Sequence, residues 1–160
     1  MTATFESAPA TIHRGEDDLP FVDLGDGNHL QLLQVDLATG IWIVRNRFEP
    51  GCVVQTHKHT GHVNAFTQSG TWYYAETPDQ VNTKGSYLFE PAGSIHTLTV
   101  PASNEDVTDV WFSIYGANLN LDAEGNVELV VDAHGIFPYY VALCEAQHGV
   151  SDPPVYVIRP

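Results

Sequence analysis

The most constraining feature of this 160-residue chain is a rhythm of short runs rich in β-branched and aromatic residues, cut at close intervals by glycine and proline. The runs fall at 30–37, 41–48, 63–67, 72–75, 86–89, 96–100, 107–115 and 127–131. Thr39-Gly40, Pro50-Gly51, Ser69-Gly70, Lys84-Gly85 and Pro91-Ala92-Gly93 separate them. Strands joined by such tight turns leave no room for crossover helices, so the pattern predicts an all-β sandwich or barrel. One helix is expected after them. Asp132 suits its N-cap, Pro138 its first turn, and Ile136, Phe137, Tyr140, Val141 and Cys144 recur at helical spacing up to Gly149. The polar, aperiodic residues 1–19 read as an arm and residues 20–160 as one domain, with the VYVI near the end as a tail or a final edge strand.

Charge and composition narrow the partners. Six Lys plus Arg against twenty Asp plus Glu give a net charge of -14, which repels phosphate backbones and anionic lipid heads, so neither nucleic acid nor a membrane surface is expected as a partner. No apolar stretch approaches the ~20 residues of a membrane span, and residues 1–10 carry no basic start or apolar segment, which reads as cytoplasmic. Cys52 and Cys144 form no CxxC and suit two reduced, buried thiols.

The chemistry lies in two segments. In Gly51-Cys-Val-Val-Gln-Thr-His57-Lys-His59 the two histidines stand at i and i+2, so a strand aims both imidazoles at one point while Lys58 faces away. Among eight histidines an HxH pair arises by accident in roughly four chains of ten, so the pair alone is not a site. The second segment, Gly85-Ser-Tyr-Leu-Phe-Glu90-Pro91-Ala-Gly93-Ser-Ile-His96, has the form G-x5-P-x-G-x2-H, expected by chance in about one such chain in several hundred. His62 follows the pair closely, yet on a strand it faces the other way, which favours a structural or surface role.

The two segments together resemble the two signature motifs of the cupin superfamily, a small antiparallel jelly-roll barrel that binds a divalent metal in its mouth. The resemblance implies His57, His59 and His96 as metal ligands. The glutamate that cupins carry three or four residues after HxH is replaced by Val63 and Asn64, and the second motif's asparagine by Val100. Three neutral imidazoles leave the ion its full charge and open positions, an arrangement similar to that of non-haem iron(II) dioxygenases. Over about residues 20 to 158, including GSYLFEPAGSIHTLTVP and TDVWFSIYGANLNLDAEGNVELVVDAHG, the chain looks like the 2,4'-dihydroxyacetophenone dioxygenase branch, and more distantly like acetylacetone dioxygenase. That implies iron(II), with zinc or nickel as ions found on isolation, and cleavage of a C–C bond beside the carbonyl of a hydroxy-ketone or β-diketone, with dioxygen as co-substrate. It also implies Glu90, six residues before His96, as a group behind the ligands, and Tyr74 in the pocket wall. Exposed barrel edges predict a homodimer or homotetramer. Two further readings are a metal-binding sensor module of ChrR type without catalysis and a zinc or manganese isomerase.

Overall fold

A computed structural model describes residues 10–160. The strands are β1 (Val22–Asp23), β2 (Asn28–Asp36), β3 (Ile41–Phe48), β4 (His57–His59), β5 (Val63–Ser69), β6 (Thr71–Tyr74), β7 (Asn82–Thr83), β8 (Tyr87–Glu90), β9 (Ile95–His96), β10 (Leu98–Thr99), β11 (Thr108–Tyr115), β12 (Asn118–Leu121) and β13 (Val127–Val131). Helix α1 (Ala133–His148) and strand β14 (Tyr156–Ile158) complete the chain.

The large sheet runs β1-β2-β3-β11-β5-β8, and β14 lies parallel to β2 at its C-terminal half. A second sheet has the order β13-β12-β4-β9, and β10-β6-β7 makes a third. All pairings but that of β14 are antiparallel, as the predicted all-β barrel requires. The sequence of β3 shows why it forms: Trp42, Val44, Asn46 and Phe48 point inward and are buried, while Arg45 and Arg47 point out. The core, with Leu32, Val35, Val44, Val63, Trp72 and Val110, fills part of the barrel and leaves a cavity between the large sheet and the β4 sheet.

Two glycines hold turns in the left-handed region that side chains rarely adopt. Gly70, at φ +77, turns β5 into β6, and a Cβ there would meet the backbone of Thr108 at 2.7 Å. Gly93, at φ +88, makes the turn into β9.

The expected strand over 96–100 is in fact two. β9 belongs to the β4 sheet and β10 to the small sheet, and the switch falls at Thr97, whose backbone N–H donates to Glu76 Oε2 at 3.0 Å instead of to a neighbouring strand. Strand β12 was not expected, since its NLNL lacks β-branched and aromatic residues.

In α1 the Asp132 side chain accepts from the Gly135 N–H at 2.8 Å, and Gly149 closes the helix in the left-handed region. Ile136, Tyr140 and Cys144 form its buried stripe. Pro138 is the sixth helical residue rather than part of the first turn, so the His134 carbonyl has no intrahelical donor. Of the expected arm, residues 1–9 lie outside the described residues. Residues 16–19 lie across the outer face of β2, where Gln31 donates to the carbonyls of Glu16 and Leu19, and Leu19 is a core residue. Both cysteines are free and buried, and no described helix is long and apolar enough to cross a membrane.

Candidate metal centre

β4 is three residues long and alternates buried, exposed, buried, which turns His57 and His59 into the barrel and Lys58 out. β9 brings the third histidine: His96 is the direct cross-strand partner of His57. The Pro91-Ala92-Gly93 turn fixes this register, because the Gly93 N–H donates to the His59 carbonyl at 2.8 Å and the His59 N–H to the Ser94 carbonyl at 3.1 Å. The glycine and proline of the second motif are thus what clamp its histidine against the first pair.

The three rings form a nearly equilateral triangle, with centroids 4.8 Å (His57–His59), 4.9 Å (His57–His96) and 4.9 Å (His59–His96) apart, and their potential ligand atoms all lie within 4.8 Å of one another. His57 Nδ1 sits 2.8 Å from the Gln55 carbonyl, which can only accept, so the proton is on Nδ1 and the Nε2 lone pair is free. Burial pushes the pKa of His57 down to about 4, which keeps the ring neutral.

Glu90, on β8, enters from the opposite wall beside Val63 and is 3% exposed. Its Oε1 accepts from the Tyr74 hydroxyl at 2.5 Å, and the Tyr74 ring stacks on His96 at a centroid distance of 3.9 Å. Its Oε2 lies 2.8 Å from His59 Nε2 and 3.2 Å from His96 Nε2, with no well-directed hydrogen bond to either ring. Burial raises the carboxyl pKa, but His59 and His96 outweigh it and bring the value down to about 2. Tyr74 is held well above the usual phenol range, by burial first and then by the charge of Glu90.

Two imidazole nitrogens only 3.0 Å apart and a carboxylate oxygen therefore crowd one point that calls for positive charge. With His57 Nε2 free beside them, the donor set fits a divalent metal ion: His57, His59 and His96 could hold it, and Glu90 Oε2 stands next to them.

These groups open onto a cavity of about 650 Å³. Its walls are mainly apolar, with Trp42, Val44, Leu98, Phe112, Ile114 and Ile136, and no Lys or Arg among the described residues lines it. The polar exceptions include Asn28, Asn46 and Asn118, which sequence reasoning missed. The signal for Asn118 was the alternation Asn-Leu-Asn-Leu, which here is turned inside out, with the asparagines facing the cavity. His62 stays outside the cluster, as expected, and stacks on Tyr115 at 3.9 Å; the bend at Thr60-Gly61 ends β4 before it, so the parity of β4 is not what turns it out.

A family model, described as the ChrR cupin-like domain, matches residues 10–113. The chain belongs to this cupin family. A cupin-like protein of unknown function from Ralstonia eutropha is 33% identical over 97% of this chain and 94% of its own, with a TM-score of 0.82. An RmlC-like cupin from the same organism is 25% identical over 94% and 92%, with a TM-score of 0.80. An acetylacetone dioxygenase from Acinetobacter johnsonii shares the cupin fold at 18% identity, covering 89% of this chain and 98% of its own with a TM-score of 0.71. No curated protein matches the chain.

Proposed function

We propose that this cupin is a non-haem iron(II) dioxygenase that cleaves the C–C bond next to the carbonyl of a hydroxy-ketone or β-diketone. His57, His59 and His96 are the ligands. The observation that carries the reading is Glu90, a buried carboxylate with one oxygen on Tyr74 and the other against the ligand nitrogens, at the end of an apolar cavity. Held by a phenol beside the ligand nitrogens, this carboxylate gives the site a proton acceptor that the dioxygenase reading uses, and the larger part of the cavity wall is apolar, which suits a ketone better than a sugar. The cation-free wall suits a neutral ketone, and likeness to the dihydroxyacetophenone and acetylacetone enzymes points the same way.

Ferrous iron, when bound, would supply the charge that acidifies the ketone and the redox chemistry of dioxygen. The chain's own groups do the rest. Glu90 is ionised at neutral pH, so Oε2 can take the proton lost as the ketone becomes an enolate. Tyr74 stays a phenol and holds Glu90 by Oε1, which leaves Oε2 aimed at the ligand cluster. Trp42, Phe112 and Ile114 give the cavity an apolar wall that disfavours water.

The test is to incubate iron-loaded enzyme with 2,4'-dihydroxyacetophenone under labelled dioxygen. The reaction consumes one ketone and one dioxygen and yields 4-hydroxybenzoate and formate, with one labelled oxygen expected in each acid. Label in neither, or ketone loss without oxygen uptake, would rule out the dioxygenase and bring forward the sensor or isomerase.

A further inference from the structure

His59 differs from His57 in one respect. The Nδ1 of His57 is held by a backbone carbonyl, whereas the Nδ1 of His59 is buried with no hydrogen-bond partner among the described residues. Its neighbours on both sides share the condition. Asn118, its direct cross-strand partner on β12, has a buried Oδ1 with no partner, and Ser94, whose carbonyl takes the His59 N–H on the other side, has a buried Oγ with none. Three laterally adjacent residues thus present one orphan atom each. Buried polar atoms are rarely left unpaired, so three on neighbouring residues call for a common cause.

Strand parity puts the His59 and Asn118 side chains on one face. Asn118 lines the cavity and His59, its partner across the ladder, points inward. Directly paired residues have Cβ atoms about 5 Å apart, within reach of an amide and an imidazole. Their chemistry is complementary. Once the Nε2 lone pair of His59 is directed at an ion, its single proton must sit on Nδ1, and Nδ1–H can only donate. The amide oxygen Oδ1 can only accept.

We propose that Asn118 is a positioning residue of the metal centre: its Oδ1 accepts from His59 Nδ1–H and so fixes the tautomer and angle of that ring, with Ser94, in the turn before β9, flanking His59 on the other side. The inference rests on the reading of His59 as a ligand. It also explains why a strand as poor in β-forming residues as β12 lies against β4. The main-chain ladder brings Asn118 to the ligand, much as the Pro91–Gly93 turn brings His96.

Zinc, which is diamagnetic, serves as the probe. Affinity is measured on the full chain by chelator competition for wild type, Asn118→Leu, Asn118→Asp and His59→Ala, together with thermal unfolding of each metal-free protein. Loss of an outer hydrogen bond to a ligand imidazole typically weakens metal binding about tenfold to a hundredfold, and that is expected for Asn118→Leu. Its metal-free unfolding midpoint should match wild type, and Asn118→Asp, which keeps an acceptor, should bind as tightly as wild type or more so. Wild-type affinity in Asn118→Leu, or a loss that Asn118→Asp does not rescue, overturns the proposal. Wild-type affinity in His59→Ala instead overturns the ligand reading, and the proposal with it. Should Asn118→Leu not fold, nitrogen-15 NMR of zinc-loaded wild type decides. A slowly exchanging His59 Nδ1 proton with a nuclear Overhauser contact to the Asn118 side-chain amide supports the pairing, and an Nδ1 without a proton, or one without that contact, refutes it.

Discussion

Two buried carboxylates on the large sheet make an instructive pair. Asp109, on β11, is 4% exposed and Glu90, on β8, is 3% exposed. Asp109 faces outward and is saturated. Its Oδ1 accepts from Arg45 Nε at 2.8 Å, and its Oδ2 from the Arg45 terminal nitrogen at 2.7 Å and from Arg47 Nε at 3.0 Å. Both guanidiniums also face Glu16 from the N-terminal segment. Glu90 faces inward and has one good donor, Tyr74, while its second oxygen abuts two nitrogens without a directed bond. Burial is the same and capacity is not. A closed set of charges holds the fold together, and an open set is available to a ligand.

The strongest way to test this contrast is Asp109→Ala. It leaves the Arg45 guanidinium, whose side chain is only 12% exposed, beside Arg47 without their shared partner, and should cost about 3 kcal/mol in urea unfolding with metal affinity unchanged. A loss below about 1 kcal/mol would mean the cluster is not structural.

Next in size is a pH effect on metal-free protein. His57 falls from 6.5 in the unfolded chain to about 4 in the fold, so the fold binds fewer protons between these values. Stability is therefore fully present above about pH 6.5 and declines as the pH falls to about 4, by about 3 kcal/mol over the interval. Glu90, lowered to about 2, adds a further decline below about 4.5. Unfolding midpoints in chelator across pH 3 to 8 should show the first decline in wild type and a reduced one in His57→Gln. Identical profiles would show that the His57 ring is not buried neutral.

Glu90→Gln keeps the shape and removes the base. Metal content should stay near that of wild type while turnover of the ketone falls about tenfold to a hundredfold. Unchanged turnover would make Glu90 a second Asp109, a buried carboxylate with a structural task. The smallest effect belongs to His62→Ala, which should leave both metal and turnover intact, since His62 stacks on Tyr115 outside the triangle.

How much was legible follows from what each residue's neighbours had to be. The spans of β3 and β13 were readable to the residue, because apolar side chains at period two or a dense β-branched run need only a buried or half-buried face. The two motifs and Tyr74 were readable through resemblance, and the inward aim of His57 and His59 through strand parity alone. β12 was hidden because its inward residues are the polar Asn118 and Asn120, which face a cavity rather than a packed core. The sheet switch at Thr97 was hidden because it depends on Glu76, 21 residues away. Nothing in the neighbourhood of either Asp109 or Glu90 in sequence tells which one is saturated, since that depends on partners from Arg45, Arg47, Tyr74 and the two histidines.

The claim that the open set is a metal site is tested most directly by anaerobic titration of chelator-treated protein with iron(II), counting bound ions per chain in wild type, His57→Ala, His59→Ala, His96→Ala and Asp109→Asn. One tightly bound ion per wild-type chain is predicted, retained in Asp109→Asn and lost in each histidine variant. Near-stoichiometric iron in any of the three histidine variants, or none in wild type, would contradict it.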